Sequence, residues 1–237
     1  MINVSNIVDK YKELILKAER DLWAMPETGY FETKTNAYMI EAFEKMGYTL
    51  TKNQDITGFS TVIDTGKDGP TLLILAELDA LICATHPECN KETGAVHVCG
   101  HNAQCAALLG VASALTHKEV LDGLCGKIKL CVVPAEEGIE IGKRTELIKK
   151  GIIHFTSGKP EMIRRGFLDD VDIAFMVHVS PRQQENPSLR FGFVDGHNGV
   201  VRKKTTFIGK AAHAGAHPHL GINALNTAST AITTINS

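Results

Sequence analysis

Three uninterrupted apolar runs, TLLILAELDA (71–80), KIKLCVVPAEEG (127–138) and VDIAFMVHVSP (171–181), constrain this chain most, because helical patterns separate them. Apolar over most of their length with no strict alternation, such runs suit strands covered on both faces. FSTVIDTG (59–66) reads as a further strand; AQCAALLGVASAL (103–115) and KRTELIKKG (143–151) read as helices. Buried strands alternating with helices predict an α/β fold with a largely parallel sheet flanked by helices. At the amino end, Ile7, Val8, Tyr11, Leu14, Ile15, Ala18 and Leu22 predict one amphipathic helix of about five turns. TKTNAYMIEAFEKMG (33–47) predicts a second, with Thr33 as cap and Gly47 as stop.

Each run ends in ligand-type or acid-base residues. The first delivers Glu77 and Asp79, the second Glu136 and Glu137, and the third His178. In open α/β sheets ligands bind outside the carboxyl ends of the strands, so these ends are expected to meet at one cleft. Between the first two runs lies GAVHVCGHNAQCAALLG (94–110), where Cys99 and His101 flank Gly100 just ahead of a helix. Two residues apart, they would diverge on one helix, but a turn lets both bend toward a single ion. A thiolate with an imidazole suits zinc or another borderline divalent metal, and Glu137 and His178 are the natural additions to that shell. Glu136 is then free to take a proton from a water acidified by the ion.

AELDAL, HVCGHNAQCAALLG, PAEEG, MVHV and GKAAHAGAHPHLGINAL stand in the order and approximate spacing of the metal-dependent M20 amidohydrolases, and the chain resembles their N-acyl-amino-acid and aminobenzoyl-glutamate hydrolase branch from about residue 10 to its end. The resemblance implies a two-metal site of zinc or manganese, with Cys99, His101, Glu137 and His178 as ligands, Glu136 as general base and Asp79 as the acid that supports the site. It implies that His213 of GKAAHAG reaches a partner subunit's site and stabilises the tetrahedral intermediate, and hence a dimer or a complementing chain. The implied reaction is hydrolysis of the amide of an N-acyl or N-aroyl amino acid by metal-activated water. Departures from the pattern are Glu77 where related branches carry Asp or His, Ile82 where a proline often follows, and Asn102 where many members have Asp.

PRQQENPS (181–188) is the best linker-like loop. Beyond it LRFGFVDG and VVRKKTTFIGKAAHAG read as strands of another sheet, and GINALNTASTAITTINS as a helix. The expected organisation is residues 1–199 as the amino-terminal part of a catalytic domain and 200–237 as the start of an α+β lid or dimerisation domain. By the resemblance the chain reads as truncated there, lacking a returning segment with a last metal-binding histidine. The alternative is therefore a truncated or split homologue that binds metal or a complementing chain without turnover.

A net charge of -2 offers no electrostatic footprint for nucleic acid or an anionic membrane. The amino terminus has no signal-peptide pattern, and six cysteines in apolar contexts are expected to be reduced thiols in a cytoplasm. A rival use of the thiols is a structural zinc knuckle built from Cys83, His86, Cys89, His97, Cys99 and His101, although its spacing lacks two close pairs. Cys105, Cys125 and Cys131 are expected in the core.

Overall fold

The computed structural model describes residues 3–179, 192–193, 196, 199, 203 and 205–235. The chain divides into two compact units, Met1–Pro181 and Arg182–Ser237.

The first unit opens with α1 (Val4–Asp9), α2 (Lys12–Trp23) and α3 (Thr33–Lys45), followed by β1 (Thr51–Lys52), β2 (Phe59–Asp64) and β3 (Thr71–Glu77). A short hairpin, β4 (Leu81–Ile82) and β5 (Ala95–Val96), leads to α4 (His101–Leu115) and α5 (Lys118–Asp122); β6 (Lys127–Val133), α6 (Ile141–Lys149), α7 (Gly158–Arg164) and β7 (Ile173–Met176) complete it. The five-stranded sheet has the order β1-β2-β6-β3-β7. β6, β3 and β7 are parallel, in a register that runs from Thr71↔Lys127 to Glu77↔Val133 on one side of β3 and from Leu72↔Ile173 to Leu75↔Met176 on the other. β2 and β1 extend the sheet antiparallel. Because the three parallel strands point the same way, their carboxyl ends emerge along one edge, which is what the sequence predicts.

Helix α4 is apolar around most of its circumference and accordingly sits in the core against β3 and α2. Phe43, Phe59, Leu22, Met39 and Leu130 are among the fully buried side chains of the core that it shares through its own Leu109.

Several local expectations change. The first amphipathic segment is two helices, broken at Lys10 and Tyr11, where Tyr11 leaves helical geometry and the Tyr11 hydroxyl lies 2.7 Å from His117 Nε2. Thr33 is not a cap; it is the first residue of α3, whose N–H groups at Lys34 and Thr35 donate to the Glu27 carboxylate at 2.8 and 2.9 Å. A carboxylate from outside the helix thus supplies the capping acceptor and favours the positive end of the dipole. β7 is not buried: all four residues are exposed, and among the described residues the strand lies at the sheet's edge, paired with β3, with little packed on its faces. Cys105 and Cys131 lie in the core as expected, but Cys125 is exposed.

In the second unit α8 (Ala224–Ile235) matches the expected helix. LRFGFVDG falls largely outside the described residues, as does PRQQENPS, and the described part of VVRKKTTFIGKAAHAG carries one isolated bridge, Lys210 to Ile222, in place of a strand. No helix among the described residues is long and apolar enough to cross a membrane.

α7, which the apolar pattern does not announce, docks on the turn after β6. Gly158 N–H donates to the Ala135 carbonyl at 2.9 Å, and a Cβ at this position would lie 1.6 Å from the Pro134 oxygen. Gly158→Ala is therefore expected to lower the unfolding free energy by about 2 kcal/mol, as overpacking against backbone does, read as a lower urea midpoint.

Candidate metal centre

The centre is built around Asp79, two residues beyond the end of β3 and fully buried. Its Oδ1 accepts from Glu136 N–H at 3.0 Å and its Oδ2 from Glu137 N–H at 2.9 Å, so one carboxylate fixes both residues of the turn after β6. Arg144, itself fully buried, brings Nη2 to 3.9 Å from Oδ2, and its Nη1 donates to the carbonyl of Thr156 at 2.7 Å. That turn needs holding because Ala135 has φ +52, a left-handed geometry that costs a non-glycine residue about 1 kcal/mol or more. A second buried carboxylate helps: Glu32 Oε1 accepts from Ala135 N–H at 2.7 Å, while Oε2 accepts from the Thr57 hydroxyl at 2.6 Å.

Asp79 also orients the histidine. His101 opens α4 immediately after Gly100, which adopts φ +84, the left-handed region a glycine enters without penalty. The ring's Nδ1 donates to the Asp79 carbonyl at 2.7 Å, which leaves Nε2 as the atom available to an ion. Nε2 lies 3.1 Å from Glu77 Oε2. Nearby, Cys99 Sγ lies 3.5 Å from His178 Nε2.

Two groups of ligand-type side chains therefore converge, Cys99 with His101 and His178, and Glu77 with His101 and Glu136. Glu137 adjoins the first, close enough for its carboxylate to disfavour a charge on the Cys99 sulfur. Neither group includes Cys83, His86, Cys89 or His97, so the described residues do not assemble the knuckle. The donors fit a divalent ion on two counts. Among the described residues, Glu137 Oε1 and His101 Nε2 are buried with no hydrogen-bond partner. Two ligands of a tetrahedral zinc stand about 3.3 to 3.6 Å apart given its usual bond lengths, close to the spacings seen here.

The electrostatics point the same way. Burial, followed by the neighbouring Glu137, pushes the Cys99 thiol up to about 12, so a thiolate here calls for a cation. Burial opposes a charge on His101, but the Asp79 and Glu77 carboxylates beside the ring outweigh it and carry the imidazole to about 10. Burial also opposes ionisation of Glu77, and its ion pairs with His101 and Lys159 overcome that to hold it near 2. Burial and then Glu77 raise Glu136, the direction that suits a group exchanging protons near neutrality.

Of the residues singled out in the sequence, the structure brings Cys99, His101, Glu137, His178, Glu136 and Asp79 to one edge of the first unit. His213 belongs to the second unit, where its Nδ1 accepts from the N–H groups of Gly215 and Ala216 at 3.2 and 3.0 Å. Glu32, Arg144 and Lys159 had no motif to announce them. The one available signal was a charge inside an otherwise semi-apolar segment, which solvated helices share.

A family model described as peptidase family M20/M25/M40 matches residues 73–234, well over half of the chain. The chain belongs to this family. Among curated relatives, N-acetyl-L-cysteine deacetylase of Bacillus subtilis is 30% identical over 99% of this chain and 52% of its own length. One of the p-aminobenzoyl-glutamate hydrolase subunits of Escherichia coli is 26% identical over 98% of this chain and 59% of its own. Among solved structures, an aminohydrolase-like protein of methicillin-resistant Staphylococcus aureus superposes with a TM-score of 0.68 at 25% identity, over 98% of this chain and 55% of that one. A dinuclear metal-binding M20 peptidase of Bacillus subtilis shares the fold with a TM-score of 0.58 at 24% identity, over 73% of this chain and 44% of that one. This M20 chain thus spans about half the length of the curated relatives it matches.

The buried carboxylates make stability depend on pH. Burial and then the nearby Asp79 raise Glu32 from 4.5 to about 7, so the folded state binds its proton more tightly than the unfolded chain does. Stability contributed by the protonated form is complete below the unfolded value and lost as pH rises toward 7, by roughly 3 kcal/mol. Urea midpoints measured from pH 5 to 8 are expected to fall for the parent and to flatten in Glu32→Gln. Cys83→Ser with Cys89→Ser is expected to leave bound metal unchanged by elemental analysis, because these thiols lie outside both ligand groups.

Proposed function

We propose that this M20 chain carries the metal-binding half of an amidohydrolase acting on N-acyl or N-aroyl amino acids. The observation that carries the reading is the convergence of Cys99, His101 and His178 beside a Glu136–Glu137 turn held by Asp79. Cys99, His101, Glu137 and His178 would hold divalent metal, two ions in the complete site, and the soft thiolate favours zinc over manganese. A divalent ion there would supply Lewis-acid polarisation of the amide carbonyl and lower the pKa of water.

The chain's own residues do the remaining work. Glu136, half-buried and raised, takes the proton from the attacking water and delivers it to the leaving amine. Asp79 fixes the main chain at both Glu136 and Glu137, since each oxygen of its carboxylate holds a different N–H. His101 is fixed in its tautomer by the Asp79 carbonyl. His213, on residues 200–237 as the start of a lid or dimerisation domain, would donate to the oxyanion in a partner subunit's site, with residues 1–199 as the catalytic part. Relatives named as two different subunits of one Escherichia coli hydrolase support an oligomer or complementing chain. Six free cysteines support a reducing compartment such as the cytoplasm.

A second reading, a split or truncated homologue that binds metal or a complementing chain without turnover, is favoured by the exposed apolar Leu225 and Ile235 on α8.

The test is turnover of a panel of N-acyl amino acids and aminobenzoyl-glutamate beside elemental analysis. Glu136→Gln is expected to keep its metal and lose about 10²- to 10⁴-fold in kcat. A variant as active as its parent overturns the assignment of the base, and metal without turnover in the parent selects the second reading.

A further inference from the structure

Glu77 is 1% exposed, yet its two oxygens face different partners: Oε1 is ion-paired with Lys159 Nζ, and Oε2 lies 3.1 Å from His101 Nε2. Because His101 Nδ1 must donate to the Asp79 carbonyl, Nε2 is the ring atom that would bind an ion, and Glu77 faces that atom. A partner that merely orients a metal-binding histidine sits on the other nitrogen, the position taken here by Asp79. Glu77 therefore stands on the ion's side of the ring. Lys159 is the second residue of α7 and is brought to this carboxylate by the close docking of Gly158 on Pro134 and Ala135. Its ammonium also lies 4.0 Å from Glu136 Oε1, so it occupies a position between two carboxylates where it opposes any further cation.

Building on the metal reading above, we infer that Glu77 shares its carboxylate between two cations, a divalent metal ion on Oε2 alongside His101 and the Lys159 ammonium on Oε1. Glu77 is an additional metal ligand and Lys159 the competing counter-charge that sets how tightly the ion is held. A buried carboxylate with no counter-charge is strongly disfavoured, which explains why a permanent cation accompanies it. A salt bridge that is only structural predicts that removing either partner harms the protein in the same way. A carboxylate shared with metal predicts opposite signs, since deleting Glu77 removes attraction for the ion and deleting Lys159 removes repulsion.

The experiment is titration of the metal-free 237-residue chain with zinc by calorimetry and with cobalt(II) by visible d–d absorption, on the parent, Glu77→Gln and Lys159→Met, with circular dichroism as the check of folding. Glu77→Gln is expected to weaken one equivalent of ion at least tenfold and to change its cobalt spectrum; Lys159→Met is expected to tighten it threefold or more. If Glu77→Gln does not fold, the tightening in Lys159→Met carries the test alone. Unchanged or tighter binding in Glu77→Gln, or weaker or unchanged binding in Lys159→Met, overturns the inference while leaving the metal reading intact. A parent that binds neither ion overturns the metal reading itself, and this inference with it.

Discussion

Everything at the candidate centre depends on the buried Asp79 accepting two backbone N–H groups from the turn after β6 while its own carbonyl takes the Nδ1 proton of His101. One residue thereby couples the ends of two parallel strands and the first turn of the central helix. Charge-assisted bonds to backbone donors in a dry interior are strong and directional. They also oppose the left-handed conformation's tendency to relax at Ala135, which Glu32 pins from the other side.

The resulting arrangement separates jobs among neighbouring carboxylates. Asp79 is saturated by backbone and by Arg144, Glu32 by Thr57 and Ala135, and Glu77 is compensated by Lys159. Among the described residues Glu137 keeps a buried oxygen with no hydrogen-bond partner, and burial beside Glu77 raises Glu136. Divergent environments of this kind are what the proposed division into anchor, ligand and base requires. Membership of peptidase family M20/M25/M40 gives this division its chemical setting.

The parallel arrangement is what makes such a site compact. Strands β3, β6 and β7 run in register, so residues far apart in sequence, from Glu77 to His178, arrive on one edge with little loop between strand and ligand. Short exits from a rigid sheet hold ligand atoms more tightly than long loops would.

The apolar runs and the residues that end them were legible in the sequence, because burial on both faces demands continuous hydrophobicity and strand ends are where polar groups resume. So was the Cys99–Gly100–His101 turn, since thiolate and imidazole chemistry is local to the motif. Tertiary structure alone decided the rest. Glu32 meets Ala135 across 103 positions and Lys159 meets Glu77 across 82, pairings that no local pattern encodes. The break at Tyr11 and the external cap from Glu27 arise from partners outside each helix, which periodicity does not see. The apolar pattern of β7 gave no sign that it lies at the sheet's edge, because hydrophobicity records a strand's fitness for burial while strand order determines which faces and edges neighbours cover.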